Sequence, residues 1–228
     1  MLFSNSFITL HMKALVLGAT GATGRDLVDQ LLRNGSFSEV HIFVRRKVEN
    51  QHHKLNVHIV DFDAIEEWKH LVHGDVAFSC LGTTLKAAGS KEAQWKVDYD
   101  YQYEFAKVAK FAGVRCYLLV SSISANPNSG IFYLKMKGQL EEKVKKLDFE
   151  SCFIFQPGPL ERPNTDRMAE LMSIKVIKFF NKIGLFKSQK PVPTSVLAKS
   201  MISHALSSAP GQHEITINDI YPAKEQSI

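Results

Sequence analysis

The chain has 228 residues, of which 45% are hydrophobic, 22% charged and 10% aromatic. That balance excludes a disordered, collagenous or low-complexity chain, and a single domain of this size buries roughly 70% of its unfolded surface. The formal charge of +5, from 28 basic and 23 acidic residues, suits nucleic acid, an anionic membrane or a phosphate-bearing small molecule and does not choose among them.

Residues 1–11 carry apolar side chains but no basic n-region and no small-residue cleavage site, so they read as an N-terminal extension ahead of Met12 rather than a secretory signal. Residues 12–228 are expected to form one domain. Short β-branched runs then alternate with amphipathic stretches. The pattern predicts a strand at Lys13–Leu17, a helix at Thr23–Asn34, strands at His41–Val44 and Val57–Asp61, a helix at Ile65–His73 and a strand at Asp75–Cys80. A long helix, Gln94–Ala112, leads to a strand at Cys116–Ser121, and a helix at Phe132–Lys146 leads to a strand at Ser151–Gln156. This repeating order predicts an α/β fold, a doubly wound parallel sheet with helices on both faces.

After Pro157 the pattern changes. Three prolines fall within 157–165, a basic apolar helix runs to about Lys182, a helix follows at Thr194–Ser207, and a last strand is expected at Glu214–Asn218. Residues 159–210 are read as a small substrate lobe over the carboxyl edge of the strands, too short to stand alone. No uncharged run approaches the ~20 residues a spanning helix needs. The odd set Cys80, Cys116 and Cys152, each in an apolar run, predicts buried reduced thiols in a cytoplasmic protein.

The first strand runs into Gly18-Ala19-Thr20-Gly21-Ala22-Thr23-Gly24, and a helix follows. Gly18 permits the tight turn, Gly21 lets the backbone approach a pyrophosphate, and Gly24 lets helix and strand pack closely, with the helix N-terminus facing the anion. A dinucleotide site is expected. At the end of the second strand, an NAD-selective site would place an acidic residue to hold the ribose 2′-hydroxyl. Arg45 and Arg46 stand there instead, a fork for a 2′-phosphate, which points to NADP(H). By topology, Asp61 and Phe62 would flank the adenine, and Leu81 and Gly82 would pass beneath the ribose.

Carbonyl reduction needs an acid at the reacting oxygen, a task suited to a Tyr whose pKa a neighbouring ammonium lowers. Tyr and Lys four residues apart share a helical face, and the chain offers two such pairs, Tyr103/Lys107 and Tyr133/Lys137. Tyr133 follows the strand that ends in Ser121-Ser122, at the edge where ligands bind in open sheets. Tyr103 lies mid-helix, where a packing role is expected.

The glycine loop, Arg45-Arg46-Lys47, Cys80-Leu81-Gly82-Thr83-Thr84, Val97-Asp98-Tyr99-Asp100-Tyr101, Tyr133-x-x-x-Lys137-Gly138 and Pro157-Gly158 together resemble an atypical short-chain dehydrogenase/reductase. The match is to the Tat-interacting protein oxidoreductase group and its bacterial relatives of the sugar-nucleotide epimerase-like kind, over about Lys13 to Pro193. The resemblance implies a Rossmann fold, NADPH, Tyr133 as proton donor, Lys137 on the nicotinamide ribose, and Ser121 or Ser122 orienting substrate. It further implies cofactor contacts from Thr20, Gly21, Ala22, Thr23, Arg45, Arg46, Leu81, Gly82 and Leu160. Two departures stand out: family members commonly carry Arg where this chain has Gln156, and an arginine farther along that loop has only Arg167 as counterpart.

The nine His are scattered, and no metal site is expected. The leading expectation is an NADPH-dependent oxidoreductase of a small carbonyl or alcohol. The alternatives are a non-catalytic NADPH-binding regulatory protein, with the basic segment 168–182 as a surface for a protein partner, and a sugar-nucleotide epimerase-like enzyme. Neither nucleic acid nor a membrane span is expected.

Overall fold

The computed structural model describes residues 11–49, 51–161, 191–207 and 209–221. Its frame is a seven-stranded sheet of β1 (Met12–Leu17), β2 (Phe37–Val44), β3 (Leu55–Ile59), β4 (Val76–Ser79), β5 (Cys116–Val120), β6 (Ser151–Phe155) and β9 (Gly211–Ile215), in the order β3-β2-β1-β4-β5-β6-β9. Every neighbouring pair is parallel, so all seven carboxyl ends lie along one edge. The order reverses between β1 and β4, and a crevice opens above that switch point.

Period-two alternation divides the strands between two cores. Ala14, Val16, Ile42, Phe78, Leu118, Phe153 and Phe155 face α1 (Ala22–Arg33) and the helix Thr194–Ser207. Leu15, Leu17, Phe43, Ala77, Tyr117, Leu119 and Ile154 face the other layer, which includes α2 (Ile65–Trp68), α5 (Tyr101–Phe111) and α6 (Phe132–Lys145). Both faces are covered, so the strands read as nearly unbroken apolar runs. The doubly wound Rossmann architecture expected from the sequence is the one observed.

Several elements differ from expectation. The single helix expected at Ile65–His73 is broken into a 3-10 turn at Phe62–Ala64, the four-residue α2 and a second 3-10 turn at Lys69–Leu71. The Asp61 side chain accepts from the Asp63 N–H and the Asp61 carbonyl accepts from Trp68 Nε1, which folds the segment back on itself. The long helix starts earlier, at Lys91, where the Ser90 hydroxyl caps it by accepting from the Ala93 N–H. It runs as α4 (Lys91–Trp95), a π turn at Lys96–Asp100 and then α5. The last strand is Gly211–Ile215 rather than Glu214–Asn218, because Asp219 bonds the Thr216 N–H and hydroxyl and starts a short helix at Ile217–Ile220.

Of the expected substrate lobe, residues 162–190, with Arg167 and the basic helix, lie outside the described residues. Leu160–Glu161 (β7) pairs in parallel with Val192–Pro193 (β8). The helix Thr194–Ser207, which we number α7, belongs to the sheet's covering layer and not to a lobe over its edge. Its residues Leu197, Ala198, Met201 and Ala205 sit in the same core as Leu27 and Leu31 of α1. Thr194 Oγ1 donates to Asp26 Oδ2 at 2.5 Å and Gln30 Nε2 to the Ser195 carbonyl at 2.9 Å.

Two glycines fix the entry to α1. Gly18 has φ of +85°, and a Cβ there would stand 2.5 Å from the Leu81 nitrogen; a Cβ on Gly24 would overlap the Gly18 carbonyl. Gly24→Ala should therefore cost about 1–3 kcal/mol by overpacking, read as a lowered urea midpoint with unchanged slope.

On the α2 side of the sheet, His41 Nδ1 and His58 Nε2 lie 2.8 Å apart, and His41 Nε2 is 2.8 Å from Glu39, which also meets Lys13 at 3.1 Å. Burial pulls both imidazoles below the ordinary value of 6.5, with Glu39 opposing it at His41 and the charges of His41, His73 and His70 adding to it at His58. Groups depressed in the folded state take up protons first in the unfolded chain, so their stability is present above about pH 6.5 and lost as pH falls through the folded values. Chemical denaturation from pH 8 down to pH 5 should show this loss, and a His41→Asn/His58→Asn variant should show a flatter profile.

Candidate functional site

The glycine loop sits where β1 leaves the sheet, at the switch point. Gly21 takes the N-cap position of α1 in extended conformation, and no side chain caps the helix. The amides of the first turn, at Ala22, Thr23 and Gly24, therefore lack a side-chain cap, and their dipoles add to a positive end. Thr20 is exposed beside them. A backbone cradle without a Cβ at its closest approaches and a helix end without a capping oxygen fit the pyrophosphate of a dinucleotide.

Arg45 and Arg46 are exposed just past β2 and have no ion-pair or hydrogen-bond partner among the described residues. Beside them a cavity of about 450 Å³ is lined by Thr20, Arg25, Ile42, Lys47 and Val48. Neither Arg25 nor Lys47 was given a ligand contact from the sequence, although Lys47 stands in the Arg45-Arg46-Lys47 motif. Their signal was position: one directly follows the third glycine, the other the arginine pair. Asp61 stands past the end of β3, whereas Phe62 is 8% exposed, its ring packed on Trp68 and Tyr101. Phe62 fills the sheet's core instead of standing open beside Asp61. Leu81 and Gly82 form the exit of β4, against Gly18. Leu160 lies in β7, partly buried against the α1-side core.

The carboxyl end of β5 delivers Ser121 and Ser122 to α6, Ser122 near its N-terminal turn at Tyr133 and Ser121 farther along at Glu141. Ser122 lies beside Tyr133, near enough to act on its hydroxyl, and donates its own hydroxyl to the Ile123 carbonyl at 3.3 Å. Ser121 is buried and spends its hydroxyl on Glu141 Oε1, which also accepts from Gln156 Nε2 at 3.2 Å. Of the two serines, Ser122 is therefore the one grouped with Tyr133. Lys137 is 3% exposed, with its ammonium 3.3 Å from Asp98 Oδ1. Gly138 lets α6 pack directly on the Asn126–Pro127 backbone, which a Cβ would overlap.

The electrostatics correct one expectation. Burial pushes the Tyr133 hydroxyl above its ordinary value, and Asp98 adds to the rise; the Lys137 ammonium, and then the nearby Ser122 hydroxyl, pull it down without cancelling the rise. Tyr133 is thus held as a protonated acid rather than tuned toward neutrality. Burial alone would lower Lys137, but Asp98, then Tyr133, more than offset it, and the ammonium is retained. Burial also raises the Glu141 carboxyl, which Ser121 and Gln156 only partly counter.

The second Tyr-Lys pair is not part of this cluster. Lys107 is bonded to Glu104 at 2.8 Å on the surface, and its ammonium lies 5.6 Å from the Tyr103 ring centroid. Tyr103 packs against Tyr99, with centroids 6.2 Å apart. Asp98, Glu141 and Gln102 are the buried polar groups that sequence reasoning missed as parts of the site. Glu141 continues the Tyr133–Lys137 stripe by one turn; Asp98 and Gln102 share a four-residue spacing that reads equally well as a solvated helix face. Among the described residues, no group of three or more His, Cys, Asp or Glu is placed to hold a metal ion.

A family model described as NAD(P)H-binding matches residues 18–170. Protein HTATIP2 of Rattus norvegicus is 34% identical over 91% of this chain and 87% of its own length. Protein FMP52-1, mitochondrial, of Scheffersomyces stipitis is 34% identical over 94% of this chain and 96% of its own. Among solved structures, UDP-glucose 4-epimerase of Thermotoga maritima superposes with a TM-score of 0.68 over 90% of this chain and 76% of that one, at 16% identity, a likeness of fold.

The expected cytoplasmic location is overturned by these relatives, since the FMP52 proteins are named as mitochondrial. The cysteines did not carry a compartment signal. Cys116 and Cys152 are buried, whereas Cys80, expected to be buried too, is only partly so; desolvation pushes all three thiols up to about 12, which keeps them unreactive whatever the compartment. The family match across two thirds of the sequence, with relatives aligned over nearly its full length, carries the conclusion: this chain belongs to the NAD(P)H-binding proteins of the atypical short-chain dehydrogenase/reductase type, alongside HTATIP2 and FMP52.

Proposed function

We propose that the protein is an NADPH-dependent reductase of a small carbonyl compound, with Tyr133 as proton donor, Lys137 as the cation beside it and Ser122 orienting the carbonyl oxygen. The observation that carries the reading is the grouping of Tyr133, Ser122 and the buried Lys137 ammonium at the carboxyl edge of β5. Structural ion pairs do not need a hydroxyl pair at a sheet's ligand-binding edge; acid catalysis does. The bound nicotinamide would supply the hydride. Tyr133 holds its proton in the resting site and releases it to an oxygen as negative charge develops there. Ser122 donates or accepts toward the same oxygen, and the Lys137 ammonium stabilises the tyrosinate left behind.

For the cofactor, Arg45 and Arg46 support NADPH over NADH, because two guanidinium groups with no partner among the described residues would make charge-assisted bonds to a 2′-phosphate that are stronger than any they could make to a neutral ribose hydroxyl. Leu81 and Gly82 would lie beneath the ribose, Thr20 to Gly24 against the pyrophosphate, and Asp61 beside the adenine. No observation of the described residues favours the regulatory or the epimerase-like alternative.

Titration calorimetry tests the cofactor choice. Charge-assisted bonds predict NADPH affinity about ten- to a hundredfold above NADH, collapsing to parity in Arg45→Ala/Arg46→Ala. Equal affinities in the native protein would overturn the assignment.

A screen of carbonyl compounds for NADPH consumption tests the reaction. On any substrate found, Tyr133→Phe should lower single-turnover rates about a hundredfold or more with NADPH affinity nearly unchanged, while Tyr103→Phe should do little. Because the acid is held protonated, the native rate should stay flat through neutral pH and fall only on the alkaline side. Full activity in Tyr133→Phe would remove Tyr133 from the chemistry.

A further inference from the structure

The π turn at Lys96–Asp100 widens the helix by one residue at the place where it passes the Tyr133 cluster, and such insertions shift the face on which later side chains emerge. Here a polar row turns inward: Gln94, Asp98 and Gln102 are 4%, 1% and 0% exposed. Gln102 Nε2 donates to the Asp98 carbonyl at 2.7 Å, and Gln102 Oε1 accepts from Ser79 of β4 at 2.8 Å. The backbone of the widened turn is thus fastened to the sheet through one amide side chain. The Asp98 carboxylate reaches two further elements. Oδ2 accepts from the Thr83 N–H at 2.9 Å, in the exit loop of β4, and Oδ1 lies 3.3 Å from Lys137 Nζ on α6. The same Oδ1 would stand 3.3 Å from a Cβ at Gly82.

We propose that Asp98 is a positioning residue, which retains the Lys137 ammonium beside Tyr133 and ties it to the Leu81–Thr83 loop through one carboxylate. The proposal rests on the reading of Tyr133 and Lys137 as the reacting pair. Lys137 is almost wholly buried, and an ammonium in that position without a counter-charge gives up its proton. The ionisable groups that face it are Asp98 from the π turn and Tyr133 and Glu141 from its own helix. Glu141 is bonded instead to Ser121 and Gln156, which leaves Asp98 as its direct ion-pair partner among the described residues. The carboxylate bond to Thr83 fixes that partner to the loop on which a ribose would rest, so the ammonium and the loop keep a set spacing.

The test uses the full chain labelled with ¹⁵N-lysine and follows the Lys137 side-chain resonance by NMR as pH is raised. In the native protein it should remain an ammonium into the alkaline range. In Asp98→Asn its midpoint should fall by about one pH unit or more, and Asp98→Glu should restore most of the loss. NADPH affinity in Asp98→Asn should drop about tenfold and become pH-dependent, following the same midpoint. If Asp98→Asn folds too poorly to measure, Asp98→Asn/Lys137→Met, which removes the unpaired charge, should be more stable than Asp98→Asn alone. A folded Asp98→Asn with an unmoved Lys137 midpoint would overturn the proposal, as would a double variant no more stable than Asp98→Asn. A native protein that shows the Lys137 behaviour but reduces no carbonyl would remove the reductase reading and leave the role of Asp98 standing.

Discussion

The close approach of α1 to the exit of β1 is the constraint on which the rest of the site depends. Only a chain without a Cβ at Gly24 lets the helix start against the Gly18 carbonyl, and only a positive φ at Gly18 turns the strand sharply enough to begin it there. With that contact made, the helix dipole points into the crevice between β1 and β4, where the sheet order reverses. Gly18 also touches the exit of β4, so the same turn that aims α1 supports the loop at Leu81 and Gly82. One packing contact thus sets the relative position of two of the three loops that frame the crevice.

The third loop, at the end of β5, is built differently. Its two serines have separate duties: Ser121 is drawn into the buried bond with Glu141 and Gln156, which leaves Ser122 at the front with Tyr133. Burying polar groups costs free energy unless every one finds a partner, and partly satisfied networks are costly. Here Ser79, Gln102, Asp98, Lys137, Ser121, Glu141 and Gln156 all have partners. The polar interior behind Tyr133 is therefore a fixed scaffold and not a defect of packing.

The sheet was legible because its strands, covered on both faces, are short apolar runs set between amphipathic stretches; the division that follows, Ala14 and Val16 to one core and Leu15 and Leu17 to the other, comes with the pleat. The glycine loop was legible because two of its three glycines, Gly18 and Gly24, answer to backbone needs that no other residue meets. What the sequence did not disclose depended on partners that the local pattern does not show. Gln94, Asp98 and Gln102 look like a solvated stripe until Ser79 and Lys137 arrive opposite two of them. The broken segment after β3 follows from a Trp68 bond to the Asp61 carbonyl, seven residues away, which outweighs the local helical pattern. The direction of the Tyr133 shift was missed for the same reason. The lysine four residues along was visible, whereas the desolvation of the hydroxyl and the acid beyond it were not.

The Arg45–Arg46 pair is exposed to water, while Lys137, Asp98, Ser121 and Glu141 are almost wholly enclosed. Mobile ions screen the first set over about 10 Å at 0.1 M salt and hardly reach the second. Ionic strength therefore acts on one end of the crevice only. Added salt would loosen the grip on any anion held by the arginines, yet the spacing of Tyr133, Ser122 and Lys137 would not change. Such an arrangement would separate how tightly a charged ligand is held from how anything at the inner cluster is aligned, and the surrounding medium would alter the first without disturbing the second.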